Sequence, residues 1–141
     1  MERSDALSFL RTQKWAIEAS VSSRNAPQAA LVGFAATDSF ELIFDSPESA
    51  CKVANLKANP RIALVIGGWD DGDERTVQYE GIADLPTGKE LQELKSVYFA
   101  TFPEGREREH SPGIVYIRVK PNWVRYSSFN GPSPETQEFQ F

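Results

Sequence analysis

The apolar residues of this chain arrive in short, β-prone runs, each closed by turn residues, and that spacing constrains the fold more than any other feature. Trp15-Ala16-Ile17-Glu18-Ala19-Ser20-Val21 ends at Asn25-Ala26-Pro27. Gln28 to Thr37 is near-continuously apolar, and Thr37-Asp38-Ser39 turns it into Phe40-Glu41-Leu42-Ile43-Phe44. Arg61 to Ile66 is a further apolar run. Arg75 to Ala83 alternates, with Val77 and Tyr79 on one face and Thr76, Gln78 and Glu80 on the other. Gly113 to Val119 and Asn122 to Ser128 flank Lys120-Pro121 and predict two last strands. Runs this short, mostly joined by turns, predict an antiparallel sheet.

Single helices interrupt the strands. Ser4-Asp5 can cap a helix from Ala6 to Gln13. Ser46-Pro47-Glu48 predicts a second helix start, with Ser46 accepting from free amides and Pro47 at the first helical position. That helix runs to about Ala58, where Asn59-Pro60 stops it. Pro86-Thr87-Gly88 opens a third, to about Phe99. Phe102 to Pro112 reads as a charged loop, and residues 130–141 as a tail after a domain over residues 1–129. About seven strands and three helices predict a mainly β (α+β) fold, a β-barrel with helices packed outside it.

Composition narrows the function classes. With 141 residues the chain makes one domain with a self-supporting core. A net charge of −5 disfavours nucleic acid and anionic membranes, which need a basic field. One cysteine, Cys51, and one histidine, His110, exclude a disulfide framework and multi-cysteine or multi-histidine metal sites within one chain. No apolar stretch reaches the length of a signal core or a membrane span. These features predict a soluble protein in a reducing, cytoplasmic setting, with no metal.

Few residues carry chemistry on their own. The helix start Ser46 to Ser49, followed by Lys52, offers amides, hydroxyls and a cation to an anion. The polar face Thr76, Gln78, Glu80 can hydrogen-bond a polar ring edge or simply meet water. Asp70-Asp71-Gly72-Asp73-Glu74 lacks the spacing of a calcium loop and reads as a solvated hairpin tip. Cys51 has no base near it in sequence and reads as a small buried hydrophobe. Gly-rich dinucleotide, phosphate-loop and nucleophile-elbow motifs are absent from the sequence.

Taken together, Phe44-Asp45-Ser46, Cys51-Lys52, Asn55 through Val65, Trp69, Val77-Gln78-Tyr79-Glu80-Gly81 and Tyr98-Phe99-Ala100-Thr101-Phe102-Pro103 resemble the pyridoxamine 5′-phosphate oxidase-like flavoproteins. The resemblance covers residues 5 to 128 and implies an FMN-binding split β-barrel, a homodimer with the cofactor groove at its interface. It implies cofactor contacts at Phe44, Asp45, Ser46, Ser49, Cys51, Lys52, Trp69, Thr76 and Gln78, with Ala29 to Val32 beside the flavin ring. The family's serine-arginine-lysine run falls on Ala50-Cys51-Lys52, so the bidentate guanidinium is lost. The resemblance implies an oxidoreductase working on an unassigned small molecule. A cofactor-free or weakly binding dimer, or a binder of F420 or heme with His110 as the histidine ligand, are the alternatives. The authentic oxidase is not expected, because residues 134–141 carry no arginine or histidine. Arg106, Arg108 and Arg125 are candidates for meeting an anionic substrate. Trp69, Trp123 and Phe129, near strand ends, are apolar surface for a partner to cover.

Overall fold

The computed structural model describes residues 2–141. Helix α1 (Arg3–Thr12) starts earlier than the Ser4-Asp5 signal predicts, because Glu2 and Asp5 form a reciprocal capping box. The Glu2 N–H donates to Asp5 Oδ2 at 2.6 Å. Strands β1 (Trp15–Val21) and β2 (Pro27–Gly33) form the first hairpin. The long Gln28–Thr37 run divides at Phe34, whose ring is buried, and resumes as the short β3 (Ala35–Ala36).

The expected Ser46-Pro47 helix start is wrong. Both residues extend β4 (Leu42–Pro47), where Ser46 pairs with Val115 and Pro47 with Ile114. The buried Ser46 hydroxyl donates to the Pro47 carbonyl at 2.9 Å, so it caps nothing. Proline is tolerated at a strand's end, where it interrupts no central ladder bond. Helix α2 (Cys51–Ala58) begins later, from an extended Ala50 with no side-chain cap.

Strands β5 (Arg61–Gly67) and β6 (Arg75–Asp84) follow, then α3 (Gly88–Thr101) and a 3₁₀ segment, Pro103–Arg108, inside the expected charged loop. The two expected last strands are one continuous β7 (Ile114–Ser128). Lys120-Pro121 does not break it, because a β-bulge absorbs the proline. Glu80 pairs with Trp123 and Gly81 with Pro121, which leaves Asn122 as the extra residue. Gly81 permits this close approach: a Cβ there would collide with the Lys120 carbonyl oxygen.

The segment read as a tail is also corrected. Glu135–Gln140 forms β8, antiparallel to Trp123–Ser128. Its side chains are mostly exposed, so it carries no apolar pattern, and its backbone ladder holds it. Phe141 packs 5.3 Å from Phe40, and the Arg3 guanidinium lies 4.4 Å over the Phe141 ring.

The eight strands make one curled sheet in the order β2-β1-β5-β6-β7-β4-β3, with β8 on the free half of β7. Its concave side wraps a core of Phe9, Leu10, Phe34, Phe44, Ile66, Tyr79 and Ile117. Each such side chain contributes about 1.5–3 kcal/mol by leaving water. The Tyr79 hydroxyl is satisfied inside, donating to the carbonyls of Phe40 and Val119 at 2.7 and 3.2 Å. Helix α3 covers a second cluster with Ile43, Tyr98, Phe99, Phe102 and Tyr116. Among the described residues, no helix is long and apolar enough to cross a membrane.

Candidate functional site

Helix α2 packs against β1, and the start of the helix leaves a groove beside the edge of the sheet. The groove, of roughly 400 Å³, is lined by Glu18, Ser20, Gln28, Ala29, Ala30, Cys51 and Lys52. Strand alternation decides which side chains enter it. In β1, Glu18 and Ser20 are buried while Ile17 and Ala19 take the opposite face. Antiparallel register sets Ala30 across from Glu18 and Gln28 across from Ser20. Asn55, one turn into α2 from Cys51, ties the floor together. Its amide donates to Ser20 Oγ at 3.0 Å and to Gln28 Oε1 at 2.8 Å. The Gln28 carbonyl is thereby occupied, and its NH₂ is left for the groove.

Glu18 is the unusual member. The residue is 1% exposed, and its Oε2 is buried with no hydrogen-bond partner among the described residues. Burial raises its pKa, and the Lys52 ammonium opposes that shift. An orphaned buried carboxyl is costly, and structures keep one mainly where a ligand or proton completes it.

The structure brings together two of the sequence-derived site residues here, Cys51 and Lys52. Cys51 is exposed rather than the buried hydrophobe its isolation predicts. Ser49 is exposed in the preceding turn. The Phe44 ring lies in the barrel core. Asp45 is engaged elsewhere: Arg108 Nε donates to Oδ2 at 2.6 Å and the Tyr98 hydroxyl to Oδ1 at 3.1 Å. Burial, and secondarily the Asp45 charge, push the Tyr98 pKa up to about 12. That pairing also takes Arg108 from the candidate substrate contacts. Arg106 lies over the Phe99 ring and Arg125 lies 3.8 Å from Glu138.

Gln78 and Thr76 share the other face of the sheet, as the alternation predicts. Gln78 pairs with Val65 and lines a shallow surface with Ile17, Ala19, Ala63 and Trp123. Leu31, Ile17 and Val65 are aligned across β2, β1 and β5 on that face, Leu31 being 60% and Val65 44% exposed. Trp69 is exposed in the β5–β6 connection.

Sequence reasoning missed Glu18, Ser20, Gln28 and Asn55 as site residues. The available signal was a carboxylate in a β-prone run at the same parity as buried Ala16. Which helix would cover that strand was not legible locally.

A chemical picture follows from the lining alone. One ammonium, one carboxamide, one hydroxyl and the first amides of α2 face a groove that also holds a protonatable carboxyl. Such a donor set holds a polar or anionic group, while the adjoining apolar face suits a planar ring or a protein surface.

The comparisons agree on the architecture. No curated protein matches the chain. Among solved structures, a heme binding protein from Mycobacterium smegmatis superposes with a TM-score of 0.81 at 14% identity, over 99% of this chain and 59% of that one. The General Stress Protein 26 from Bacillus anthracis gives 0.73 at 19% identity, over 99% and 100%. A pyridoxamine 5′-phosphate oxidase-related, FMN binding protein from Nostoc punctiforme gives 0.70 at 13% identity, over 98% and 94%. The pyridoxamine 5′-phosphate oxidase family model matches residues 4–128, from α1 through the last residue of β7. A match over nearly the whole curled sheet, together with the shared architecture, establishes that this chain belongs to the pyridoxamine 5′-phosphate oxidase family.

Proposed function

We propose that this protein binds FMN as a homodimer and serves as a flavin-dependent oxidoreductase on a small molecule. The observation that carries the reading is Lys52 at the start of α2, opening onto a groove whose wall is the exposed backbone edge of β2 at Ala29 and Ala30. The family match and the FMN-binding relative support it.

The donor set fits a phosphate monoester under one condition. Lys52, the Gln28 NH₂, the Ser20 hydroxyl and the amides of Cys51 and Lys52 are suitable donors, and Glu18 must then carry a proton. Protonated, the orphaned carboxyl becomes one more donor; ionised, it opposes the phosphate charge. When bound, the flavin supplies hydride chemistry through N5, and the protein supplies binding and orientation. Lys52 and the helix amides hold the phosphate. The apolar face of β2, β1 and β5 excludes water once a second copy covers it, and Gln78 and Thr76 offer polar contacts from that face.

His110 favours flavin over a histidine-ligated heme. It is the sole histidine of the sequence, lies after the 3₁₀ segment, and is exposed away from the groove lining.

The test is an absorbance spectrum of the purified protein before and after FMN addition and desalting. Retained bands near ~370 and ~450 nm are expected, with Lys52→Ala weakening retention about tenfold. A flat spectrum overturns FMN at working concentrations and leaves a ligand-binding module. Sedimentation checks the dimer.

A further inference from the structure

We propose that Glu18 makes phosphate binding in this groove proton-dependent: as a carboxylic acid it donates to a phosphate oxygen, and as a carboxylate it repels the phosphate. The inference rests on the FMN reading and goes beyond it, because it assigns a controlling residue that the family resemblance does not supply.

Three observations converge on it. Glu18 lies on the groove wall, yet its side chain is almost entirely sealed from water. Its Oε2 has no partner, although neighbouring Ser20 and Gln28 are both bonded to Asn55. The first residue of α2 is Cys51, so no guanidinium stands there to neutralise the carboxylate.

The charged surroundings are sparse. Facing groups from α2 are Lys52 and Cys51. The cross-strand partners, Ala30 on β2 and Leu64 on β5, carry no charge. Among the described residues, Lys52 is thus the one cation in the groove lining, and it cannot neutralise both a carboxylate and a phosphate. A phosphate oxygen also offers the protonated Glu18 carboxyl an acceptor. Burial raises the carboxyl's pKa, and the Lys52 ammonium opposes that shift.

The experiment is a fluorescence titration of the intact protein with FMN and with riboflavin at pH about 5.5 and about 8, for wild type and Glu18→Gln. Glutamine keeps a donor and cannot ionise. Phosphate's own second ionisation, near pH ~6, is common to both proteins, so their difference isolates Glu18. Wild-type FMN affinity is expected to fall about tenfold more than that of Glu18→Gln over this range, while riboflavin affinity stays flat. Glu18→Leu, which lacks both charge and donor, replaces the glutamine variant if that one fails to fold, and the same excess loss in wild type is expected. Equal pH dependence of FMN binding in wild type and variant overturns the inference and leaves the flavin reading intact. Riboflavin binding without FMN binding at either pH also overturns it. Absence of binding of both ligands by both proteins overturns the inference and the FMN reading together.

Discussion

Two acidic side chains in this protein have opposite fates. Asp45, at the α3 side of the sheet, has a carboxylate that receives Arg108 Nε at 2.6 Å and the Tyr98 hydroxyl at 3.1 Å. Arg108 also donates to the Tyr98 oxygen at 3.2 Å, so the three groups close a triangle. Glu18, at the α2 side, is more deeply covered and has an oxygen with no partner. A closed polar network rigidifies the fold around it. An open one is a cost that folding alone does not repay, which is why Glu18 and not Asp45 marks the site.

The largest expected effect tests the satisfied side. Asp45→Ala leaves the Arg108 head and the Tyr98 hydroxyl without their acceptor. Arg108 is partly exposed and recovers some hydration, so the loss is about 2–3 kcal/mol rather than the full cost of a buried pair. Urea unfolding should show a lower midpoint at an unchanged slope. A change under about 0.5 kcal/mol, the range of ordinary surface substitutions, would break the contrast.

The unsatisfied side should respond with the opposite sign. Glu18→Leu removes an orphaned polar group and keeps a similar volume beside Ala30 and Leu64. A gain of about 1–2 kcal/mol is expected. Destabilisation by the same amount would mean that Glu18 is structurally satisfied in solution.

The smallest effect is a slope. The Glu18 pKa is raised in the folded protein above its ordinary 4.5, so between those values the folded state holds a proton that the unfolded state has released. Stability therefore contains a contribution that is fully present below the ordinary value and lost as pH rises through the folded one. Wild-type stability, measured by denaturant midpoint across this window, should fall relative to Glu18→Gln. Parallel curves would remove the pKa support for the contrast.

Much of the barrel was legible residue by residue. Val77 and Tyr79 alternate with Thr76, Gln78 and Glu80 in the sequence, and β6 buries the first pair and turns the second set outward. The errors fall where a neighbour outweighed a local signal. Ser46-Pro47 has the chemistry of a helix start, but pairing with Ile114 and Val115 draws it into β4. Pro121 reads as a break, but the Gly81 approach turns it into a bulge. Residues 135–140 lack an apolar pattern because an exposed strand on the free half of β7 needs none.

By itself the sequence determined the strand-rich class, the pattern of faces and the family likeness, because alternation and turn chemistry are local. It also carried Lys52 and Cys51 side by side at the start of α2. Only the tertiary structure decided that Glu18 lies under α2, that Asn55 occupies Ser20 and Gln28, and that Asp45 belongs to Arg108. Those partners stand 27 to 63 residues apart along the chain, or face one another only through sheet register and helix packing. No local pattern encodes which of these two carboxylates will find a partner; the curl of the sheet does.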